Sequence, residues 1–202
     1  NYNGDFNTIK NNLNVCIDAV NELVADANML SVAAIEGRLA TRADATKHYG
    51  DFRKIVQGVN DTLDAVINPL NVAADYVDKI SRGDIPEKIT DNYNGDFNTI
   101  KNNLNVCIDA VNELVADANM LSVAAIEGRL ATRADATKHY GDFRKIVQGV
   151  NDTLDAVINP LNVAADYVDK ISRGDIPEKI TDNYNGDFNT IKNNLNVCID
   201  AV

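Results

Sequence analysis

INPLNVAADYVDKISRGDIPEKITDNYNGDFNTIKNNLN, from Ile67 to Asn105, decides how the whole chain is read. Leu70, Ala73, Val77 and Ile80 step by 3, 4 and 3, the apolar seam of a coiled-coil helix. Arg82-Gly83-Asp84 stops that helix, because glycine reaches a left-handed C-terminal turn without penalty. A connector follows whose only large aliphatic residues are Ile85 and Ile89, and a second seam opens at Phe97, Ile100, Leu104 and Ile108. The unit is helix, connector, helix.

The length of the connector sets the direction of the second helix. From Arg82 to Gly95 an extended chain of about 14 residues reaches about 46 Å, whereas the helix Pro69 to Ser81 is only about 20 Å long. The connector therefore runs back along the helix it has left, and the next helix starts beside the first and points the same way. An antiparallel hairpin would need only a short turn. Two such narrow seams leave each other half wet, so self-association is expected.

Pro69-Leu70, Gly83-x-Ile85-x-x-x-Ile89 and Gly95-Asp96-Phe97-x-x-Ile100-x-x-x-Leu104-Asn105 together resemble the HAMP domain, the relay module of bacterial chemoreceptors and sensor kinases. That family has a proline early in its first helix and a connector glycine with two hydrophobic residues four apart. Its second helix starts with two acids, an aliphatic residue and a glycine, and later carries an asparagine after a large apolar residue. Two departures fall at the helix start, where Gly95 replaces the first acid and Asn98 the glycine; Asp96 keeps a helix-start role. The resemblance implies an all-α fold of tandem HAMP-like helix-connector-helix units, assembled as a parallel four-helix coiled-coil rod in a homodimer.

Residues 1–91 recur without change at 92–182, and 183–202 begin a third copy. A weaker half-repeat lies inside the period. Gly37-Arg38-Leu39 answers to Gly83-Asp84-Ile85, and Gly50-Asp51-Phe52-x-x-Ile55 to Gly95-Asp96-Phe97-x-x-Ile100. The chain thus divides into a partial unit at 1–22, full units at 23–67, 68–113 and 114–158, and a truncated unit at 159–202. Units that contact mainly their neighbours form a quasi-one-dimensional array, and the sequence reads as a piece of a longer one.

The helices predicted over about Asp5–Glu36 and Asp51–Ser81 fuse the second helix of one unit to the first of the next. Their seams are Phe6, Ile9, Leu13, Ile17, Val20, Val24 and Ala27, and Phe52, Ile55, Val59, Leu63, Val66, Leu70 and Ala73. Both step 3, 4, 4, 3, 4, 3, and the paired fours relax left-handed supercoiling at the same place. Pro69 and Pro160 sit inside fused helices, where a lost backbone bond predicts a kink or thinning. Gly37, Gly83, Gly128 and Gly174 end helices; Asp51, Asp96, Asp142 and Asp187 sit in first turns, favoured by the dipole. Ile85 and Ile89, with Ile176 and Ile180 in the second copy, clasp the bundle. The other connector type offers Leu39 (Leu130 in the second copy) and only Ala43, and is predicted to be the looser.

A net charge of −11 with scattered Lys and Arg argues against nucleic acid. No apolar run of about 18 residues is present to cross a bilayer. Lone His48 and His139, placed in an exposed connector, lack the partners of a metal site. One cysteine per period, at Cys16, Cys107 and Cys198, gives no intrachain framework and fits a reducing compartment, although parallel chains would bring Cys16 to its mate. A calcium loop around Gly95 fails because Thr90 and Lys101 occupy ligand positions. The Asn60-Asp61-Thr62 sequon and the Arg82-Gly83-Asp84 tripeptide are chance-level matches. No catalytic constellation, cofactor or small-molecule substrate is predicted.

The resemblance implies a cytoplasmic, non-enzymatic stalk that relays conformational signals in a receptor anchored in the inner membrane by segments outside these residues. The alternative is a structural spacer or filament, which the identity between copies favours.

Overall fold

A computed structural model describes residues 3–201; the outermost residues of the first and last sequence units, 1–2 and 202, lie outside the described residues. The described residues form five α-helices and no strand: α1 (Asp5–Ile35), α2 (Gly50–Ser81), α3 (Gly95–Ile126), α4 (Gly141–Ser172) and α5 (Gly186–Ala201). Short 3-10 turns lie at Ala45–Lys47 and Ala136–Lys138. The helices of 31 and 32 residues have the length expected from the seams, and α2 and α4 run unbroken through Pro69 and Pro160. The fold is all-α, as the heptad-like steps predict.

The chain divides into two compact units, Asn1–Asn105 and Val106–Val202. In the first, α1 ends in a closed turn: Gly37 N–H donates to Ala34 O and Arg38 N–H to Ala33 O at 2.8 Å, with Gly37 at φ 74°. Gly83 closes α2 in the same way at φ 78°, with Asp84 N–H donating to Lys79 O. This pair of bonds satisfies carbonyls that a helix end otherwise leaves free. In the second unit Gly128 and Gly174 repeat the arrangement.

Hydrogen bonds fix the direction of the helices. After the Gly37 turn the connector lies beside Asp64 at Arg42, beside Asn60 at Ala43, and beside Asp26 of α1 at His48. As the chain advances it descends α2 and finishes roughly 13 Å back from the end of α1, at 1.5 Å per residue. α2 then starts there and climbs in the direction of α1. The α2 connector does likewise, passing Asn105 at Ile89 and Lys101 at Asp91 before α3 begins. Helices joined by a connector are parallel, as its length predicts.

Burial shows a pattern that the seam alone does not. The stripe α2 turns inward is Val56, Asn60, Leu63 and Ile67, and α1 turns in Leu23, Asp26, Leu30 and Ala33. Most seam residues lie one position away and stay wet: Ile55 is 51% exposed, Val59 43% and Val24 52%. α2, α4 and the second half of α1 therefore carry two adjacent stripes. One is spent on the connector, and the other is left uncovered by this chain.

No Cβ built on Gly83 or Gly174 meets an atom within 4 Å, so alanine there is strained by its backbone angle and not by a clash. Gly83→Ala with Gly174→Ala is expected to cost about 1–2 kcal/mol per turn, read as a lower thermal midpoint by circular dichroism.

Candidate functional site

The residues with a task are those that hold each connector against its helices. In every unit a single asparagine of the second helix spans one connector residue. Asn60 Nδ2 donates to Ala43 O at 2.8 Å, and Asn60 Oδ1 accepts from Ala43 N–H at 3.1 Å. Asn105 holds Ile89 in the same way at 2.8 and 3.0 Å, Asn151 holds Ala134, and Asn196 holds Ile180. A carboxamide offers one acceptor and donors side by side, which matches the N–H and C=O of one extended residue. Asn60 and Asn151 are buried with both amide ends engaged, so the sequon at Asn60 is closed to a glycan.

A basic residue just before the spanned position adds an ion pair one helical turn further on. Arg42 Nη2 lies 2.7 Å from Asp64 Oδ1, Arg133 pairs with Asp155, and Lys179 Nζ is 2.7 Å from Asp200. Arg42 also donates to Leu39 O and Thr41 O at 2.7 Å. The aliphatic clasp is present at Ile89 and Ile180, both buried, while Ile85 is only half-buried and Ile176 exposed. Ile89 lines a cavity of about 10 Å³ with Pro69, Val72, Tyr93, Phe97 and Leu104. Ile180 lines its counterpart with Pro160.

Two expectations are corrected here. His48 and His139 are not exposed: each is within 3% of full burial, with Nε2 2.7 Å from an Asp26 or Asp117 carboxylate oxygen. A carboxylate only accepts, so the Nε2–H donates. Nor does the Leu39 connector rest on Leu39 and Ala43 side chains alone. Leu39 and Leu130 do lie exposed, but Ala43 and Ala134 are buried, and Arg53 donates to the carbonyls of Ala45, Thr46 and His48. Counting aliphatic side chains missed a clasp made of hydrogen bonds.

Asp44 caps the 3-10 turn, accepting from Thr46 N–H at 3.0 Å and Thr46 Oγ1 at 2.6 Å. Asp51 and Asp142 lie in the first turns as predicted, each in an exposed ion pair with Lys54 or Lys145; Asp96 and Asp187 hold the same position. The helix starts also depend on Gly50, Gly95, Gly141 and Gly186, all between φ 53° and 56°, which side-chain-bearing residues rarely adopt. This is a physical reason for glycine in place of an acid at Gly95. Cys16, Cys107 and Cys198 are free and exposed. Among the described residues no His, Cys, Asp and Glu cluster could hold a metal ion.

Removing the amide should leave the spanned backbone groups unpaired. Asn60→Ala with Asn151→Ala is expected to lower unfolding free energy by about 1–3 kcal/mol per unit in urea titrations. Hydrogen bonds from the Thr46 hydroxyl, then the Thr46 N–H, hold Asp44 below its ordinary value of 3.8. A lowered folded value means the cap is whole above pH 3.8 and is lost as pH falls through that lowered value. The Thr46 amide resonance should therefore titrate with a midpoint under 3.8.

The HAMP domain family matches residues 1–22, 47–113 and 138–202, most of the chain in three segments. No solved structure matches. HAMP domains are non-catalytic signal-relay modules of bacterial receptors, typically in their cytoplasmic parts. No helix among the described residues is long and apolar enough to cross a membrane. With the parallel helices, the backtracking connectors and the asparagine clasps, this match makes the chain a member of the HAMP family, carrying its domains in tandem.

Proposed function

We propose that this chain is a poly-HAMP stalk that acts as a parallel homodimer and relays a change of helix packing between sensor and output parts of a bacterial transmembrane receptor such as a chemoreceptor. The observation that carries the reading is the uncovered stripe. Ile55, Val59, Val66, Leu70 and Val77 stay roughly half exposed along one face of α2, and the same residues repeat on α4. Exposed apolar area of that extent on a monomer marks an interface. A second copy supplies a matching seam with the same 3, 4, 4 steps, and four parallel helices then share one dry centre. A relay further needs two packings of similar free energy that an upstream input can bias. All connectors share the asparagine clasp, and only some add a histidine–aspartate bond to the preceding helix among the described residues, which gives the array two kinds of joint for that purpose.

The identity of the 91-residue copies favours a second reading, a structural spacer or filament that extends the same coiled coil. A flanking membrane span with a kinase or chemoreceptor signalling tip in the full reading frame supports the relay. Many further copies with neither support the spacer.

Light scattering should give twice the 22.0 kDa chain mass, and Val66→Glu with Val157→Glu should halve it by placing charges in the seam. Oxidation should link Cys16 to its symmetry mate. A chain that is monomeric before substitution ends the dimeric stalk.

A further inference from the structure

The two unit types differ in how the connector is held against the helix that precedes it. Every unit ties its connector to the following helix through the asparagine, at Asn60, Asn105, Asn151 and Asn196. The Gly37 and Gly128 units also bond backwards, through His48 to Asp26 of α1 and His139 to Asp117 of α3. In the second compact unit, the side-chain bonds and ion pairs of connector residues 176–185 all go to α5, through Asn196, Lys192 and Lys179. Against α4 that connector rests on apolar packing of Ile180 and Tyr184 near Pro160, Val163 and Ala164.

The half-repeat places these differences at equivalent positions. Gly37 aligns with Gly83, so Asp26 corresponds to Val72; Gly50 aligns with Gly95, so His48 corresponds to Tyr93. Val72 and Tyr93 line one cavity, as Asp26 and His48 share one hydrogen bond. The same seat is filled by an apolar pair in one unit and by a buried, charge-assisted bond in the other. The His connector is one residue longer from glycine to glycine, and its extra length coincides with the 3-10 turn Ala45–Lys47 capped by Asp44.

These two kinds of contact respond differently to movement. A hydrogen bond near 2.7 Å weakens steeply with distance and angle, whereas apolar contact is non-directional and tolerates sliding or rotation while area is kept. We propose that Asp26–His48 and Asp117–His139 are register clamps: they lock the two helices of their units in one axial position, so that relative sliding or rotation of helices is confined to the alternate, Val72–Tyr93 type of unit. His48 and Asp26 are positioning residues, acting through the connector they hold. The array becomes a sequence of stiff couplers and compliant joints. This inference rests on geometry within one chain, and its failure would leave the relay reading standing.

Spin-label distance measurements test it in the full chain with Cys16, Cys107 and Cys198 replaced by serine. One label pair replaces Ala25 and Lys54 across the clamped unit, and the equivalent pair replaces Asn71 and Thr99 across the compliant one; all four residues are exposed. Labelled chain is diluted into excess unlabelled chain so that only intrachain distances are read. The Ala25–Lys54 distribution is expected to be about half as wide as the Asn71–Thr99 distribution. Asp26→Val with His48→Tyr installs the apolar pair that the other unit already accommodates, and should double the narrower width at unchanged helicity. Equal widths in the native chain, or no broadening in the helical double variant, would overturn the clamp. If the double variant loses helicity, the native comparison decides alone.

Discussion

Each unit depends on one carboxamide closing both backbone groups of one connector residue. A connector of this length has no strand partner and lies against a helix whose own N–H and C=O groups are spent, so its backbone needs side-chain partners wherever it is buried. Asn60, Asn105, Asn151 and Asn196 supply them from inside a helix, where the side chain reaches sideways without disturbing the helical ladder. With that residue pinned, the basic neighbour reaches its acid one turn on, Ile89 or Ala43 is pressed inward, and the next helix must start well back along the previous one. Parallel helices follow from the pinned, retracing connector.

That geometry divides the surface of α2, and of its repeat α4, in two. The stripe facing the connector carries mixed chemistry, with Asn60 one turn from Val56 on α2, because it must answer both backbone and side chains. The adjacent stripe is almost wholly aliphatic and has nothing in its own chain to cover it. Polar specificity lies within the chain, and the apolar stripe carries the proposed association. A change in the packing of the seam would then leave the asparagine clasps intact, so units could shift without unfolding.

Much of this was legible in the residues. Helix ends, long continuous helices and parallel direction follow from seam steps, glycine positions and connector length, since each is a local or polymer-geometric property; the family rested on a resemblance of the connector and helix-start residues. The clasps were less legible. Asn105 entered only as part of the family motif and Asn60 only inside a chance-level sequon, and Asp26 and His48, 22 positions apart, gave no signal of being partners. Aliphatic counting ranked the Leu39 connector as the looser one because hydrogen bonds to backbone leave little trace in composition.

By itself, the sequence determined which segments are helices, where glycine must turn the chain, and that one apolar stripe repeats at coiled-coil spacing. Only the tertiary structure decided which residues that stripe leaves wet. Ile55 is 51% exposed and Val56, its neighbour in the same helix, 3%, although both are β-branched aliphatics. Val56 lies one turn from Asn60, which bonds the connector at Ala43. Adjacent residues of like chemistry differ in burial because burial is a property of what the rest of the chain brings alongside.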